Sequence, residues 1–330
     1  MKNIHTISAM LLGTTLIAAC GGGSGSGGPG VTSRSGNSDA DRVLAVEAGN
    51  AAEALEAGAT LKASQRASSG WTRTFDAATA RLTADSTASV TLNDEGGLDL
   101  TIGGQTIRFI ASDLTEDGNG FELPDGTAGI WSWDGESIAD ALDPAAGRYS
   151  LVFDYYSDNE DGTGRNGFLV VGTETADADL RALPTATYQG YARIRVAPTT
   201  GFNDYAADVS EARGDVTMVA NFGAGTVSGA VTNMAGRAPR LEDPTRTWTP
   251  FDGGLTMEQA AITGNGFTGA ITADAGFAAA VGTIDAGSSY SGTFFGPGGE
   301  EVGGGINVTG TGAEDGQGYL GFGHWRAWQQ

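Results

Sequence analysis

The stretch that most constrains this sequence is a glycine-rich run near its end, residues 291–305. Apolar and small residues alternate on both sides of Gly296-Pro297-Gly298-Gly299, where glycine permits positive φ and proline fixes its own. The pattern predicts a β-hairpin. The glycines at 303–305 would weaken a flat strand, so they indicate a sharp coil or a close backbone approach, as in a narrow closed barrel.

Strand patterns continue through the whole C-terminal half of the chain. They predict eight strands, at Tyr188 to Val196, Gly214 to Phe222, Thr226 to Thr232, Leu255 to Ile262, Phe267 to Thr272, Tyr290 to Phe295, Val302 to Val308 and Gly318 to Trp328. Eight is the usual number for a small closed barrel. We expect residues 275–284 to form a loop, because an up-and-down antiparallel barrel closes with an even number of strands.

The predicted connections alternate in length along the chain. The tight ones are 223–225, 263–266 and 296–299, and the longer ones are 197–213, 233–254, 273–289 and 310–317. Successive connections of an up-and-down barrel lie at opposite ends, so the longer loops should share one mouth. Loops carried on a rigid scaffold are common binding surfaces.

The hairpin also carries a family resemblance. Phe294-Phe295-Gly296-Pro297, followed by Glu300-Glu301-Val302-Gly303-Gly304, resembles the aromatic-aromatic-Gly-Pro…Glu-x-Gly-Gly signature of the bacterial transferrin-binding protein B family, in its C-terminal β-barrel. The segment 184–190 resembles the one that leads into that barrel. The resemblance implies a single-lobed member with a barrel over 184–330 and a smaller β-rich handle domain before it.

The region before the barrel is consistent with that arrangement. Residues 70–183 hold further alternating segments separated by Asp/Gly-rich turns, so we predict an all-β handle domain there. Residues 38–69 are rich in Ala, Glu and Leu but are interrupted by Gly49 and Gly58. They predict a marginal helix or a stalk.

The N-terminus predicts a lipid anchor. A basic start, a short apolar core and Ile17-Ala18-Ala19-Cys20 resemble a bacterial lipoprotein signal, with residues 1–19 removed and Cys20 lipidated. Residues 20–37 then form a Gly/Ser tether. By analogy with lipoprotein sorting rules, Gly21 favours the outer membrane, with the protein lipid-anchored there. The family resemblance favours the cell surface, and the sequence leaves an outward or a periplasmic orientation open. Because Cys20 is the single cysteine, no disulfide can form within the chain.

Charge and composition exclude several functions. The formal charge of −22 disfavours nucleic acid and electrostatic membrane docking. After loss of the leader only His324 remains for acid–base chemistry, and no cysteine is free to pair with it, so we predict no enzyme, no cofactor and no metal site. His324 shares a predicted strand face with Leu320 and Phe322, which favours a packed or hydrogen-bonded histidine over haem or metal ligation.

The candidate binding surface lies in two of the longer loops. Arginine and tryptophan commonly anchor protein interfaces, and both occur in the loop 233–254. The candidate residues are Phe202, Tyr205, Arg237, Arg240, Arg246, Trp248 and Phe251. The alternative is that the aromatics plug the barrel end while the arginines neutralise nearby acids.

The resemblance implies a function. It suggests an outer-membrane-anchored lipoprotein that binds a host or environmental iron- or haem-bearing ligand, or a protein carrying one, and passes it to an outer-membrane transporter. It also suggests export by a surface lipoprotein assembly modulator. The alternative is a non-transport surface adhesin or host-factor-binding protein.

Overall fold

A computed structural model of the chain describes residues 49–63, 68–74, 81–82, 88–133, 136–158, 163–200 and 205–330. These residues all belong to one compact unit. The predicted signal, Cys20 and the tether lie outside the described residues. No helix in the described ranges is both long and apolar enough to cross a bilayer.

The handle consists of short elements joined by turns. In chain order they are α1 (Ala51–Glu56), β1 (Leu61–Ala63), β2 (Ser68–Thr74), β3 (Arg81–Leu82), β4 (Ala88–Leu92), β5 (Leu98–Ile102), β6 (Gln105–Arg108), a 3-10 turn (Ala111–Asp113), β7 (Gly120–Glu122), β8 (Ala128–Ser132), α2 (Ile138–Ala141), a second 3-10 turn (Pro144–Ala146), β9 (Ser150–Asp158) and β10 (Thr163–Gly172).

The handle strands form two antiparallel sheets with a shared core. One sheet has the order β1-β4-β5-β6 and the other β3-β2-β10-β9-β8-β7. Side chains alternate across a strand, so each sheet contributes one face to the core. Leu98 and Leu100 of β5 are buried with Phe153 of β9 and Leu169 of β10 in one apolar cluster.

The segment 38–69, predicted to be a marginal helix or a stalk, is described from residue 49 onward, apart from 64–67. There it forms the two-turn helix α1, capped by the Asn50 side chain, which accepts a hydrogen bond from the Glu53 N–H at 3.0 Å. Ala51, Ala54 and Leu55 are buried in the handle core. The described part of this segment is therefore packed into the handle.

The C-terminal half forms longer strands. Its elements are α3 (Asp177–Leu180), β11 (Ala186–Pro198), α4 (Tyr205–Asp208), β12 (Ser210–Asn221), β13 (Thr226–Arg237), β14 (Thr249–Pro250), β15 (Leu255–Thr263), β16 (Gly266–Ala273), α5 (Ala275–Ala280), β17 (Gly282–Ile284), β18 (Ser289–Phe295), β19 (Glu301–Gly312) and β20 (Gly318–Gln329).

Eight of these strands close into an antiparallel barrel, as predicted. Neighbouring strands pair in the order β11-β12-β13-β15-β16-β18-β19-β20. The barrel closes because β20 pairs back with β11. The interior is filled by side chains, including Tyr188, Phe267, Tyr290, Phe294 and Trp325, all almost completely buried. The barrel is a packed core, as expected for this strand number.

The segment 275–284 was predicted to be a loop, and this is wrong: it forms the short helix α5 and the three-residue strand β17. Asp274 caps the helix by accepting a hydrogen bond from the Phe277 N–H at 2.8 Å. Strand β17 pairs with the far end of β19, beyond the last residue that β19 pairs with β18. It lies at the rim, so the barrel itself keeps an even number of strands.

Three connections at one end of the barrel are long, namely 199–209, 238–254 and 274–288. The fourth at that end was also predicted to be longer, over 310–317, and this is wrong. Strand β19 continues to Gly312, because its final residues pair with both β17 and β20, so only a turn at 313–317 remains.

The handle lies against the outside of the barrel wall. Strand β10 turns Leu169 and Val171 into the handle core and Phe168 and Val170 toward the barrel. Phe168 packs with Leu320 and Phe322, which point outward from β20. This part of the barrel wall is therefore apolar on both faces.

Candidate functional site

The glycine-rich hairpin at residues 291–305 fastens the handle to the barrel. The buried Glu301 carboxylate accepts hydrogen bonds from the backbone N–H groups of Tyr149 (3.1 Å) and Ser150 (3.0 Å) and from the Ser150 hydroxyl (2.6 Å). Arg326 on the next barrel strand donates to the same carboxylate at 2.9 Å. The second acid of the Glu300-Glu301 pair thus binds the start of β9.

The glycines of the motif allow the two parts to approach. A Cβ added at Gly303 would lie 3.0 Å from the Trp325 carbonyl oxygen of the barrel and 3.2 Å from Val170 of the handle. One added at Gly304 would lie 2.0 Å from the Ser291 carbonyl oxygen. Gly303 therefore allows close approach of both the neighbouring barrel strand and the handle, and Gly304 allows the tight coiling of the barrel. Both uses match the expectation of close backbone approach.

A second buried ion pair crosses the same interface. Arg195 of β11 donates to Asp154 of β9 through both terminal nitrogens, one of them at 2.7 Å, and to the Asn166 side chain at 2.8 Å. Burial raises the pKa of Asp154, and the positive Arg195 opposes that rise. The pair therefore depends on both partners being present.

His324 is packed in this interface. It is completely buried, and its ring centroid lies 5.2 Å from that of Trp133, 4.7 Å from Phe168 and 5.8 Å from Tyr191. Neither ring nitrogen has a hydrogen-bond partner in the described part of the chain. Burial holds its pKa well below the usual value, and the positive Arg193, Arg195 and Arg326 lower it further. The packed alternative predicted for this residue is the one observed.

The long loop 238–254 is held against the outside of the barrel by one carboxylate. Glu211 of β12 is buried and accepts hydrogen bonds from Arg237 and Arg246, each at 2.6 Å. Arg246 also donates to the Ala238 carbonyl at 3.0 Å and has φ of 54°, an uncommon value for a residue with a side chain. Arg237, predicted in the loop, lies at the end of β13, because it pairs in register with Glu211.

Trp248 of this loop stacks against three guanidinium groups. The Arg213 and Arg237 guanidinium carbons each lie 4.5 Å from a Trp248 ring centroid, and that of Arg193 lies 5.2 Å away. Such contacts are attractive because the ring face is electron-rich. We call Arg193, Arg213, Arg237, Arg246 and Trp248 the arginine–tryptophan cluster.

The remaining predicted site residues are more dispersed. Phe251 is half-buried and contacts Phe277 of α5, with ring centroids 6.2 Å apart, while Arg240 is exposed. Tyr205 begins α4, and Phe202 lies outside the described residues. The structure thus brings Arg237, Arg246 and Trp248 into one cluster on the outer wall of the barrel, near its loop-bearing end.

Sequence reasoning missed three members of this region. Arg193 and Arg213 come from neighbouring barrel strands, and Trp133 comes from the handle, with its ring centroid 4.9 Å from the Arg193 guanidinium. The alternation of β11 holds a signal that could have found one of them. Arg193 and Arg195 occupy every second position and must face away from the core.

An open groove of about 950 Å³ runs beside the cluster. Its walls include Trp133, Arg193, Arg213, Asp215 and Phe251. Burial lowers the pKa of Arg193, Glu211 opposes that effect, and the positive Arg237 and Arg213 add to it. The groove therefore combines aromatic walls with guanidinium groups whose charge is only partly compensated.

These observations define a closed up-and-down β-barrel with a β-rich handle docked on its wall and long loops at one end. A family model for the C-lobe and N-lobe β-barrels of Tf-binding protein B matches residues 183–323, which cover the first seven barrel strands and the first half of β20. The barrel of this chain is therefore similar to the β-barrels of Tf-binding protein B. The described residues contain one such barrel.

Solved structures of this family give weak overall matches. Intact Ap-TbpB (N and C lobes) is 18% identical, with a TM-score of 0.41 over 80% of this chain and 46% of that one. The isotype 1 protein from serogroup B Neisseria meningitidis is 17% identical, with a TM-score of 0.39 over 80% and 43%. A variant from Haemophilus parasuis Hp5 is 17% identical, with a TM-score of 0.39 over 76% and 48%.

This chain thus spans less than half the length of those proteins. A comparison with curated protein sequences found no significant match.

Proposed function

We propose that this protein is an outer-membrane lipoprotein, anchored through Cys20, that binds a protein or an iron- or haem-bearing ligand at the cell surface for uptake. The observation that carries the proposal is the arginine–tryptophan cluster beside the long loops of a rigid barrel. Arginine and tryptophan are the side chains that most often dominate binding interfaces. The similarity of the barrel to the β-barrels of Tf-binding protein B supports the same role.

The proposed role is binding without catalysis. His324, the one histidine after the predicted leader, is buried between handle and barrel. A general acid or base must reach its substrate within hydrogen-bonding distance, or through one water molecule. The position of His324 therefore supports a structural use of this side chain.

Ligand capture can be tested with purified protein and immobilised haem, haemoglobin and transferrin. We expect one of them to bind, and growth on that iron source to fall in a strain that lacks the gene. The absence of binding to all three, with growth unchanged, would reject the uptake role and leave the adhesin alternative.

The binding surface can be tested with Trp248→Ala. We expect at least a tenfold loss of affinity for the captured ligand, because the variant removes the ring on which three arginines stack. Leu241→Ala is the matched control, since Leu241 is the exposed apolar residue of the same loop. Equal affinity of both variants and the parent protein would place the surface elsewhere.

Anchoring can be tested independently of the ligand. A Cys20→Ala variant has no thiol to acylate. It should leave the membrane fraction, because the acyl chains supply the proposed anchor. External protease should digest the parent protein on intact cells if it faces outward. Retention of the variant in the membrane fraction would contradict the lipid anchor.

A further inference from the structure

The groove beside the arginine–tryptophan cluster has an unusual pair of arginines on its wall. Arg193 of β11 and Arg213 of β12 are directly opposite each other in register. Like charges at such positions repel, because the side chains of opposite residues are neighbours. Both guanidinium groups stack on the same Trp248 ring and line the same groove.

The acidic side chains near Arg193 and Arg213 compensate their positive charge only in part. Arg193 lies 3.9 Å from Glu211, the carboxylate that already accepts closer bonds from Arg237 and Arg246. Arg213 is exposed and has no ion pair with any residue that the structure describes. An anion in the groove between Arg193 and Arg213 would reduce their repulsion and complete their hydrogen bonding.

Two aspartates restrict the charge of that anion. Asp215 and Asp252 are exposed on the groove lining, and Asp215 accepts a hydrogen bond from the Asn233 side chain at 2.8 Å. Their negative charges disfavour a phosphate cluster or another polyanion. A single carboxylate meets the two guanidinium groups with the least repulsion from the aspartates.

The remaining lining is suited to a flat apolar body. Trp133, Tyr191 and Phe251 contribute aromatic surface, and Met234 and Pro250 add aliphatic surface. The groove, at about 950 Å³, falls within the range of ligand pockets, which extends to about 1,000 Å³. It can therefore hold a small molecule with one or two rings.

We infer that this groove is a binding site for a small aromatic carboxylate, whose acid group lies between Arg193 and Arg213 and whose ring lies along Trp133 and Phe251. The site is formed by the handle, three barrel strands and the long loop together. The inference concerns a small molecule and does not depend on capture of a protein ligand.

The test is isothermal titration of the purified protein with 1-naphthoate. We expect saturable one-to-one binding, at least tenfold weaker in Arg213→Gln and partly restored in Arg213→Lys. Arg181→Gln is the matched control, because Arg181 is an exposed arginine outside the groove lining, and its affinity should equal that of the parent protein. Circular dichroism melting checks that each variant is folded.

Two further titrations test the chemical class. The neutral isostere 1-naphthalenemethanol and inorganic phosphate should each bind at least tenfold more weakly than 1-naphthoate. Failure of 1-naphthoate to bind, equal affinity for Arg213→Gln, or equal affinity for either of the two other ligands would overturn the inference. Capture of a protein ligand is measured separately, so either result can stand without the other.

Discussion

At the scale of single residues, the buried Glu301 carboxylate joins the handle to the barrel. We predict that Glu301→Gln destabilises the protein by about 3 kcal/mol, because Arg326 would remain buried without its carboxylate partner. Urea unfolding followed by circular dichroism measures the loss.

The neighbouring acid provides the control for that variant. Glu300 is only half-buried, and the structure gives it one hydrogen bond, from the Gly298 N–H at 2.9 Å. Glu300→Gln should cost about 1 kcal/mol or less, the usual net worth of a single hydrogen bond. Equal losses in the two variants would contradict the role of Glu301 in docking.

His324 should make the protein sensitive to acid. Its folded pKa is lowered by burial, so below about pH 6.5 the unfolded chain binds a proton that the folded protein excludes. Stability should fall by about 1.4 kcal/mol per pH unit from this residue alone as the pH drops below that value.

A His324→Phe variant isolates this contribution. Phenylalanine retains a ring among Trp133, Phe168 and Tyr191 but cannot be protonated. At pH 8, the difference in unfolding free energy between the parent protein and His324→Phe measures packing alone. As the pH falls from 7 to 5, the parent protein should lose stability relative to the variant. A difference that does not change with pH would show that His324 is not protonated on unfolding.

At the scale of elements, strand β19 shows which glycines the barrel needs. Gly304→Ala should destabilise the protein by about 3 kcal/mol, because the new methyl group would lie 2.0 Å from a backbone oxygen that cannot move without opening the sheet. Gly287→Ala, where no atom lies within 4 Å of the added carbon, should be close to neutral. Thermal unfolding of both variants measures the two losses of stability. Equal losses in Gly304→Ala and Gly287→Ala would contradict a close backbone approach at β19.

The strands were the most predictable elements. Every predicted barrel strand corresponds to an observed one, because alternation and glycine turns are local signals. The length of β19 was underestimated because its last residues alternate less clearly and depend on pairing with β17. Pairing between distant segments stabilises residues that the local pattern leaves undecided.

At the scale of the whole molecule, the handle and barrel should unfold together. Asp154→Ala should break this coupling, because it leaves Arg195 in the interface without its carboxylate partner, at a cost of about 3 kcal/mol. Calorimetry should show one transition for the parent protein and two for the variant. The double variant Asp154→Leu with Arg195→Met should recover much of the loss. A single unchanged transition in Asp154→Ala would contradict the coupling.

The site was less predictable than the fold. The sequence indicated Arg237, Arg246 and Trp248 because they are close along the chain. Arg193 and Arg213 join them only through strand register, and Trp133 only through handle docking. Glu301 and Ser150, which meet in the structure, are likewise far apart in the chain.

The solid interior of the barrel has a consequence for how such a protein can diversify. Side chains of the strands supply most of the packed interior, so the scaffold relies mainly on its strands. Of the long connections, 238–254 and 274–288 add Phe251, Phe277 and Val281 to that core. Sequence drift or recombination can exchange these connections while the same frame is retained. Proteins with similar barrels can therefore carry unrelated loop surfaces.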